Sequence, residues 1–128
     1  MNNPNKKRLR RTMMFLNCQK PGLIKDPYIY QPDSIMLDLE DAVAEKEKDA
    51  ARYSLYHALQ EIDYRGVEKV VRINGLDTGL WREDIRCAIA GGCDSIRLPK
   101  TVKLGAHKAE VLRIENCGHR FIPFTQFP

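Results

Sequence analysis

The chain has 128 residues, of which 43% are hydrophobic and 30% are charged, and its formal net charge is +4. This length suits one domain with a buried core. No apolar run reaches the about 20 residues that span a bilayer, and the basic N-terminus is not followed by the apolar stretch of a signal peptide. The composition therefore predicts a cytoplasmic protein and argues against membrane and secreted classes.

The cysteine pattern is also typical of a cytoplasmic protein. None of them forms a C-x-x-C pair or has zinc-ligand spacing with a histidine, so we expect reduced thiols. The four cysteines are Cys18, Cys87, Cys93 and Cys117.

Residues 1–11 are predicted to form a basic arm, and without its charges the rest of the chain is close to neutral. One interpretation is a solvated arm, and the other is an anion site. Nucleic acid is not favoured as its partner, because no helix-turn-helix, zinc finger or aromatic-interleaved basic strand accompanies the arm. A phosphate-bearing small molecule is the better functional candidate. The basic residues are Lys6, Lys7, Arg8, Arg10 and Arg11.

Short apolar runs alternate with amphipathic stretches along the chain. The runs predict strands over 12–16, 34–40, 69–74 and 94–98. The stretches with helical periodicity predict helices over 44–62, 81–90 and 104–115. Residues 17–32 are predicted to be mainly loop, with a helical turn near Leu23, and residues 119–128 to be a divergent tail.

This alternation favours a parallel sheet with crossover helices. An eight-unit barrel of this kind needs about 250 residues. We therefore predict an α/β fold, the N-terminal portion of a (β/α)8 TIM barrel that is incomplete in this chain. Its barrel domain would span 12–118 and contain four strands.

Acidic side chains follow the second predicted strand. Active sites of parallel α/β folds lie at the carboxyl ends of the strands. Asp38 and Glu40 share one parity there, so both side chains can point into the same mouth, and Asp41 follows them. Two such acids suit a divalent cation or its bound waters. The alternative is that these acids only cap the next helix.

The next two strands end in residues that suit an anionic substrate. Arg72 lies inside an apolar strand, where its planar fork could hold a carboxylate bidentately, and Asn74 has the same parity. Lys100 follows the fourth strand and could contribute a point charge. The alternatives are an arginine that extends to solvent at a sheet edge and a solvated loop lysine.

Four motifs, three of them at these strand ends, resemble one enzyme family in sequence and order. They are Leu37-Asp-Leu-Glu-Asp-Ala-Val43, Glu47-Lys-Asp-Ala-Ala-Arg52, Val71-Arg-Ile-Asn-Gly-Leu-Asp-Thr78 and Ile96-Arg-Leu-Pro-Lys100. The family is that of the CitE-like lyases, the citrate lyase β subunits of the HpcH/HpaI aldolase superfamily. The opening segment Leu9-Arg-Arg-Thr-Met-Met-Phe15 is similar to its first strand, and Tyr28-Ile-Tyr30 and Tyr64-Arg65 are most similar to the citrate lyase β subunit itself.

The resemblance implies a function and a set of partners. The family function is Mg²⁺-dependent cleavage of a citryl-thioester to oxaloacetate and an acetyl-thioester, as used in citrate fermentation. The expected partners are the citrate lyase α subunit and the acyl-carrier γ subunit, in an oligomer.

The resemblance also implies roles for individual residues. Arg72, Asn74 and Lys100 would lie at the substrate carboxylates. The metal neighbourhood would contain Asp38, Glu40 and Asp41, acting through water. Arg10 and Arg11 would approach the CoA or acyl-carrier phosphates.

The sequence departs from the family pattern at two places. The tight glycine turn expected after the first strand is replaced by Phe15-Leu-Asn-Cys18. The segments that carry the direct metal ligands are not found in the chain, so we expect it to lack activity alone. The alternatives are a non-catalytic module that binds CoA or carboxylates, and a lyase for a related acyl-CoA such as malyl-CoA.

Overall fold

A computed structural model describes residues 9–100 and the backbone of residues 120–123. Its strands form one parallel sheet in which the spatial order is the chain order. The strands are β1 (Met13–Asn17), β2 (Ser34–Asp38), β3 (Glu68–Arg72), β4 (Ser95–Leu98) and β5 (Arg120–Pro123). The predicted α/β fold with a parallel sheet is confirmed.

Three α-helices accompany the strands within the described residues. They are α1 (Pro21–Ile24), α2 (Lys48–Glu61) and α3 (Trp81–Gly91). Two 3-10 turns, Pro27–Tyr30 and Glu45–Glu47, lie before β2 and α2. The predicted helix over 104–115 lies outside the described residues.

The sheet differs from the prediction at its far edge. A four-stranded sheet was expected, with residues 119–128 as a tail, but β5 lies within that tail and pairs with β4 from Ser95↔Arg120 to Leu98↔Pro123. The prediction of four strands is therefore wrong. The run 120–123 is short and ends at a proline, which is a weak strand signal.

The end of β2 moved for a visible physical reason, whereas the end of α3 lies where it was predicted. Strand β2 ends at Asp38 rather than Glu40 because the Asp38 carboxylate accepts the backbone N–H groups of Glu40 at 2.9 Å and Ala42 at 3.2 Å, which turns the chain. Helix α3 ends as its Gly-Gly sequence predicts. Gly92 has φ +91°, and its N–H donates to the carbonyls of Ala88 and Ile89.

The main core lies between the sheet and its helices. Alternate residues of β2 and β3 point to this side, as Ile35, Leu37 and Val71 do, and each of these is fully buried. Helix α2 contributes Leu55, and α3 contributes Ile85. The apolar strand residues therefore face the helices, as they do in a barrel of this class.

The opposite face of the sheet, which we call the interior face, is arranged in layers. The register aligns Asp38 with Arg72 and Arg72 with Arg97 at the carboxyl ends of the strands. A middle layer contains Met36 and Val70. The isoleucines and leucines of β1 to β4 point to the helices, and this face is largely polar at both ends.

No helix among the described residues is long and apolar enough to cross a membrane.

Candidate active site

An arginine–aspartate pair lies at the carboxyl ends of β2 and β3. Arg72 Nε donates to Asp38 Oδ1 at 2.8 Å, and Arg72 Nη2 donates to Asp38 Oδ2 at 2.6 Å. The side chains are 15% and 2% exposed. This hydrogen bonding to Asp38 raises the pKa of Arg72. The guanidinium is therefore a permanent, oriented cation at the mouth of the sheet.

The hydrogen bonds of Asp38 indicate what its carboxylate does at this mouth. Its two oxygens accept two bonds from Arg72 and two from the backbone N–H groups of Glu40 and Ala42. A carboxylate accepts about four hydrogen bonds. The four bonds thus leave Asp38 little capacity for a metal-bound water, and its place in the metal neighbourhood stays a prediction. Its function in this geometry is to hold Arg72.

Glu40, Asp41 and Lys100 meet beside this pair. Lys100 Nζ lies 3.3 Å from Glu40 Oε1 and 3.4 Å from Asp41 Oδ1, while Glu40 Oε2 lies 3.7 Å from Arg72 Nη2. Glu40 is 7% exposed and Lys100 is 72% exposed, measured on their side chains. Hydrogen bonds first to Glu40 and then to Asp41 raise the pKa of Lys100. Glu40 therefore lies between two cations, one partly buried and one accessible.

Asn74 lies at the same mouth, and its side-chain amide is held by a buried residue of α3. Both its backbone N–H and its Nδ2 donate to Asp84 Oδ2, at 2.9 Å and 2.6 Å. Asp84 is fully buried on α3, and its other oxygen accepts Arg52 Nε from α2 at 2.7 Å. One N–H of Nδ2 is taken by Asp84, so Asn74 retains its second N–H and its carbonyl oxygen for a ligand.

Four of the predicted residues line one cleft, namely Glu40, Asp41, Asn74 and Lys100. Its volume is about 280 Å³, and its walls include Glu40, Asp41, Lys48, Asn74, Asp77 and Lys100. Lys100 adopts a left-handed backbone conformation at φ +48°, which is uncommon for a residue with a side chain. The structure thus brings together the acids, the amide and the lysine that the sequence places at three strand ends.

Arg10 and Arg11 do not lie at this mouth. Arg10 forms two bonds to the buried Glu68, at 2.8 Å and 2.6 Å, and Arg11 pairs with Asp33. Both acids stand at the amino ends of β2 and β3, the opposite edge of the sheet. The expected phosphate contact is not supported, because each arginine already pairs with a carboxylate far from the cleft.

Three residues of the site were missed by the sequence analysis. Arg97 is 6% exposed on the interior face, and its guanidinium carbon lies 5.6 Å from the centre of the Phe15 ring, while that of Arg72 lies 5.3 Å from the same ring. Burial first, and then the neighbouring Arg72 charge, lower the pKa of Arg97. Its parity within the strand was a usable signal. Lys48 and Asp84 were also missed, since polar residues on amphipathic helices ordinarily face solvent.

The cleft fits Mg²⁺ only in part. No cluster of three or more His, Cys, Asp or Glu side chains that could hold a metal ion occurs among the described residues. Glu40 and Asp41 bring two carboxylates to the wall, and Lys100 lies within 3.4 Å of both. Mg²⁺ prefers six oxygen ligands and usually keeps several waters. The two acids fit a place beside such waters.

The fold and the site together define a class. A parallel sheet in barrel order, with charged side chains gathered at its carboxyl ends, is the arrangement of a TIM-barrel enzyme. The sequence model of the HpcH/HpaI aldolase/citrate lyase family matches residues 11–120, and the chain belongs to this family of carbon–carbon lyases. The predicted family membership is confirmed.

Curated relatives agree with this assignment. The chain is 56% identical over 96 residues to the citrate lyase subunit beta of Leuconostoc mesenteroides subsp. cremoris, covering 75% of this chain and 32% of that protein. It is 44% identical over 118 residues to the subunit from Escherichia coli strain K12, covering 88% and 39%. A (3S)-malyl-CoA thioesterase from Cereibacter sphaeroides is 34% identical over 90 residues, covering 70% and 32%. The chain thus spans about a third of the length of these relatives.

A solved structure shows the same fold. The citrate lyase beta subunit of Mycobacterium tuberculosis, in complex with oxaloacetate and magnesium, superposes with a TM-score of 0.68 at 28% identity. The match covers 91% of this chain and 49% of that one. The predicted partial barrel is confirmed by this coverage.

Proposed function

We propose that this chain contributes the carboxylate-binding part of an active site that cleaves a citryl-thioester into oxaloacetate and an acetyl-thioester. The observation that carries the proposal is the pair of the buried Asp38 with the partly buried Arg72 at the barrel mouth, beside Glu40 and Lys100. Relatives named citrate lyase subunit beta at 44–56% identity support the substrate.

Arg72 is suited to the recognition step. Asp38 occupies the edge formed by Nε and Nη2. A guanidinium has a second edge, formed by Nη1 and Nη2, which can hold a second carboxylate in the same plane. Because Asp38 fixes the plane beforehand, little side-chain entropy remains to be lost when the substrate carboxylate binds. Lys100 adds a second, more exposed positive charge on the other oxygen of the same Glu40 carboxylate.

The reaction converts the tertiary hydroxyl of the citryl group to a ketone. The hydroxyl loses its proton, the carbon–carbon bond breaks, and its electron pair forms the enolate of the acetyl-thioester, which then takes up a proton. Arg72 and Lys100 hold the carboxylates of the oxaloacetate half throughout. Glu40 keeps both cations in place and limits the net positive charge of the mouth. Mg²⁺, when bound, would stabilise negative charge on the reacting oxygen, with Glu40 and Asp41 beside its waters.

The remaining parts of the proposal concern the assembly. The names of the relatives favour a complex with an α subunit and an acyl-carrier γ subunit, in which the thioester is carried.

A related thioester is the second candidate, because the similar proteins include a (3S)-malyl-CoA thioesterase and an L-malyl-CoA/beta-methylmalyl-CoA lyase from Rhodobacter capsulatus at 36% identity. Malyl-CoA has a shorter acid portion with one carboxylate fewer. The third candidate is a non-catalytic module, which would bind CoA or carboxylates without turnover.

The test is a substrate comparison on the complete gene product that contains residues 1–128. Citryl-CoA and malyl-CoA are supplied with Mg²⁺, and oxaloacetate and glyoxylate are measured. We expect oxaloacetate from citryl-CoA and a loss of rate in Glu40→Gln of about 10–100-fold, the range for partners that orient a site. Glu83→Gln, on the exposed face of α3, is the matched control. Glyoxylate without oxaloacetate would favour the second candidate, and binding without either product would favour the third.

A further inference from the structure

Lys48 is a buried cation at the first position of α2. The residue is 8% exposed, and its ammonium donates to the carbonyls of Leu39 at 2.9 Å and Glu40 at 2.7 Å. Within residues 9–100 the structure shows no ion pair between Lys48 and a carboxylate. The charge is therefore held by two backbone carbonyls just beyond the end of β2.

This position is unfavourable for a lysine on two counts. Lysines are rarely buried unless they are paired with an opposite charge. A helix amino terminus also carries a partial positive charge, which disfavours a cation there. Local rules of this kind tend to be broken at functional sites. Lys48 also forms part of the wall of the cleft that contains Glu40 and Lys100.

The contacts of Lys48 lead directly to the carboxylate of Glu40. The Glu40 carbonyl accepts Lys48 Nζ and the N–H of Val43, at 2.7 Å and 3.1 Å. Its side chain then turns back, so that Oε2 accepts the N–H of Asp41 at 2.7 Å. The segment is thereby closed into a tight turn that presents Glu40 between the two cations of the mouth.

We propose that Lys48 is a positioning residue of this site, which fixes the turn after β2 so that the Glu40 carboxylate faces Arg72 and Lys100. The inference deepens the proposed function and rests on it for its catalytic consequence. Lys48 acts through Glu40 and does not contact the reacting atoms. Without its ammonium, the carbonyls of Leu39 and Glu40 lose a shared donor, and the turn is free to open toward the cleft.

The experiment compares three variants of the complete gene product. Lys48→Met keeps the apolar stem and removes the charge, while Lys48→Arg keeps a donor that can reach both carbonyls. Glu68→Gln is the matched control, because Glu68 is a buried, hydrogen-bonded charge at the opposite edge of the sheet. The measurements are the melting temperature, kcat and KM for citryl-CoA, and hydrogen exchange of the backbone amides of residues 41–43.

We expect Lys48→Met to raise KM more than it lowers kcat, because a carboxylate-binding site holds substrate and transition state alike. The fall in kcat/KM should be about 10–100-fold. Lys48→Arg should recover most of it, and Glu68→Gln should lower the melting temperature without raising KM. The inference is overturned if Lys48→Met has the KM of the wild type. It is also overturned if Glu68→Gln raises KM as much as Lys48→Met does.

Hydrogen exchange separates this inference from the proposed function. If the wild type cleaves neither thioester, the proposed function fails, and the positioning role is judged by exchange alone. Faster exchange of amides 41–43 in Lys48→Met, with no change in Glu68→Gln, supports the role. Unchanged exchange in Lys48→Met overturns it, whatever the activity.

Discussion

Replacing Arg72 by lysine tests the central pair without leaving Asp38 as an isolated buried charge. The arginine makes two charge-assisted bonds to Asp38, at 2.8 Å and 2.6 Å. A lysine ammonium is a point charge and can keep only one of them. A hydrogen bond to a charged group contributes about 1.5–3 kcal/mol. The free energy of unfolding should therefore fall by about that amount.

The same substitution removes the second edge of the fork, on which the substrate carboxylate would lie. If one charge-assisted bond to the substrate carboxylate is lost, the transition state loses about 1.5–3 kcal/mol of stabilisation. That corresponds to a fall of about 10–150-fold in kcat/KM. The assay is oxaloacetate release from citryl-CoA by the complete gene product, with urea unfolding measured in parallel.

The control is Arg86→Lys, which makes the same chemical change on the surface of α3. Arg86 pairs with Glu83, and their side chains are 75% and 55% exposed. Exposed pairs of this kind contribute little, so both stability and activity should be unchanged. If Arg72→Lys behaves like Arg86→Lys in both assays, the bidentate geometry contributes neither to stability nor to activity, and the reasoning fails.

Three further predictions concern other parts of the chain. Hydrogen bonds from Arg11 lower the pKa of Asp33 from 3.8 to about 2. The Arg11–Asp33 pair therefore stabilises the fold fully above about pH 4 and loses this effect as the pH falls toward 2. Asp33→Asn should flatten the dependence of the urea midpoint on pH in this range. Burial raises the pKa of Cys93 from 9.0 to about 12, so its thiol should react with iodoacetamide at neutral pH only after unfolding, as peptide mass spectrometry would show. A Cβ at Gly91 would lie 2.7 Å from a side-chain carbon of α2, so Gly91→Ala should lower the free energy of unfolding by about 1–3 kcal/mol, whereas Gly22→Ala, which meets no atom within 4 Å, should not.

The sequence allowed the carboxyl ends of the strands to be predicted well. Strand ends and residue parity together placed Asp38, Glu40 and Arg72 at one mouth, and all three lie there. Parity could not show that Asp38 uses its full hydrogen-bonding capacity. That depends on how the chain turns after β2, where two backbone N–H groups fold back onto its carboxylate.

The opposite edge of the sheet was misjudged for a different reason. Arg10 and Arg11 formed a basic cluster in the sequence, but the acids that pair with them are 58 and 22 residues away. The residues that precede parallel strands meet at one edge just as those that follow them do. Asp33 and Glu68 stand at strand starts, so applying the same rule to both edges would have predicted these ion pairs.

The order of strands in the sheet has a consequence for how the chain acquires its structure. Each strand pairs with the one that comes next along the chain, so every new βα unit adds to an existing edge. The Asp38–Arg72 pair is complete once residue 72 is available, before α3 or β4 is made. Such a chain can build its active-site mouth progressively as it emerges from the ribosome, since domains fold from the N-terminus during synthesis. Stalled nascent chains ending beyond β3 should then protect Asp38 from exchange and proteolysis, and chains that stop before β3 should not.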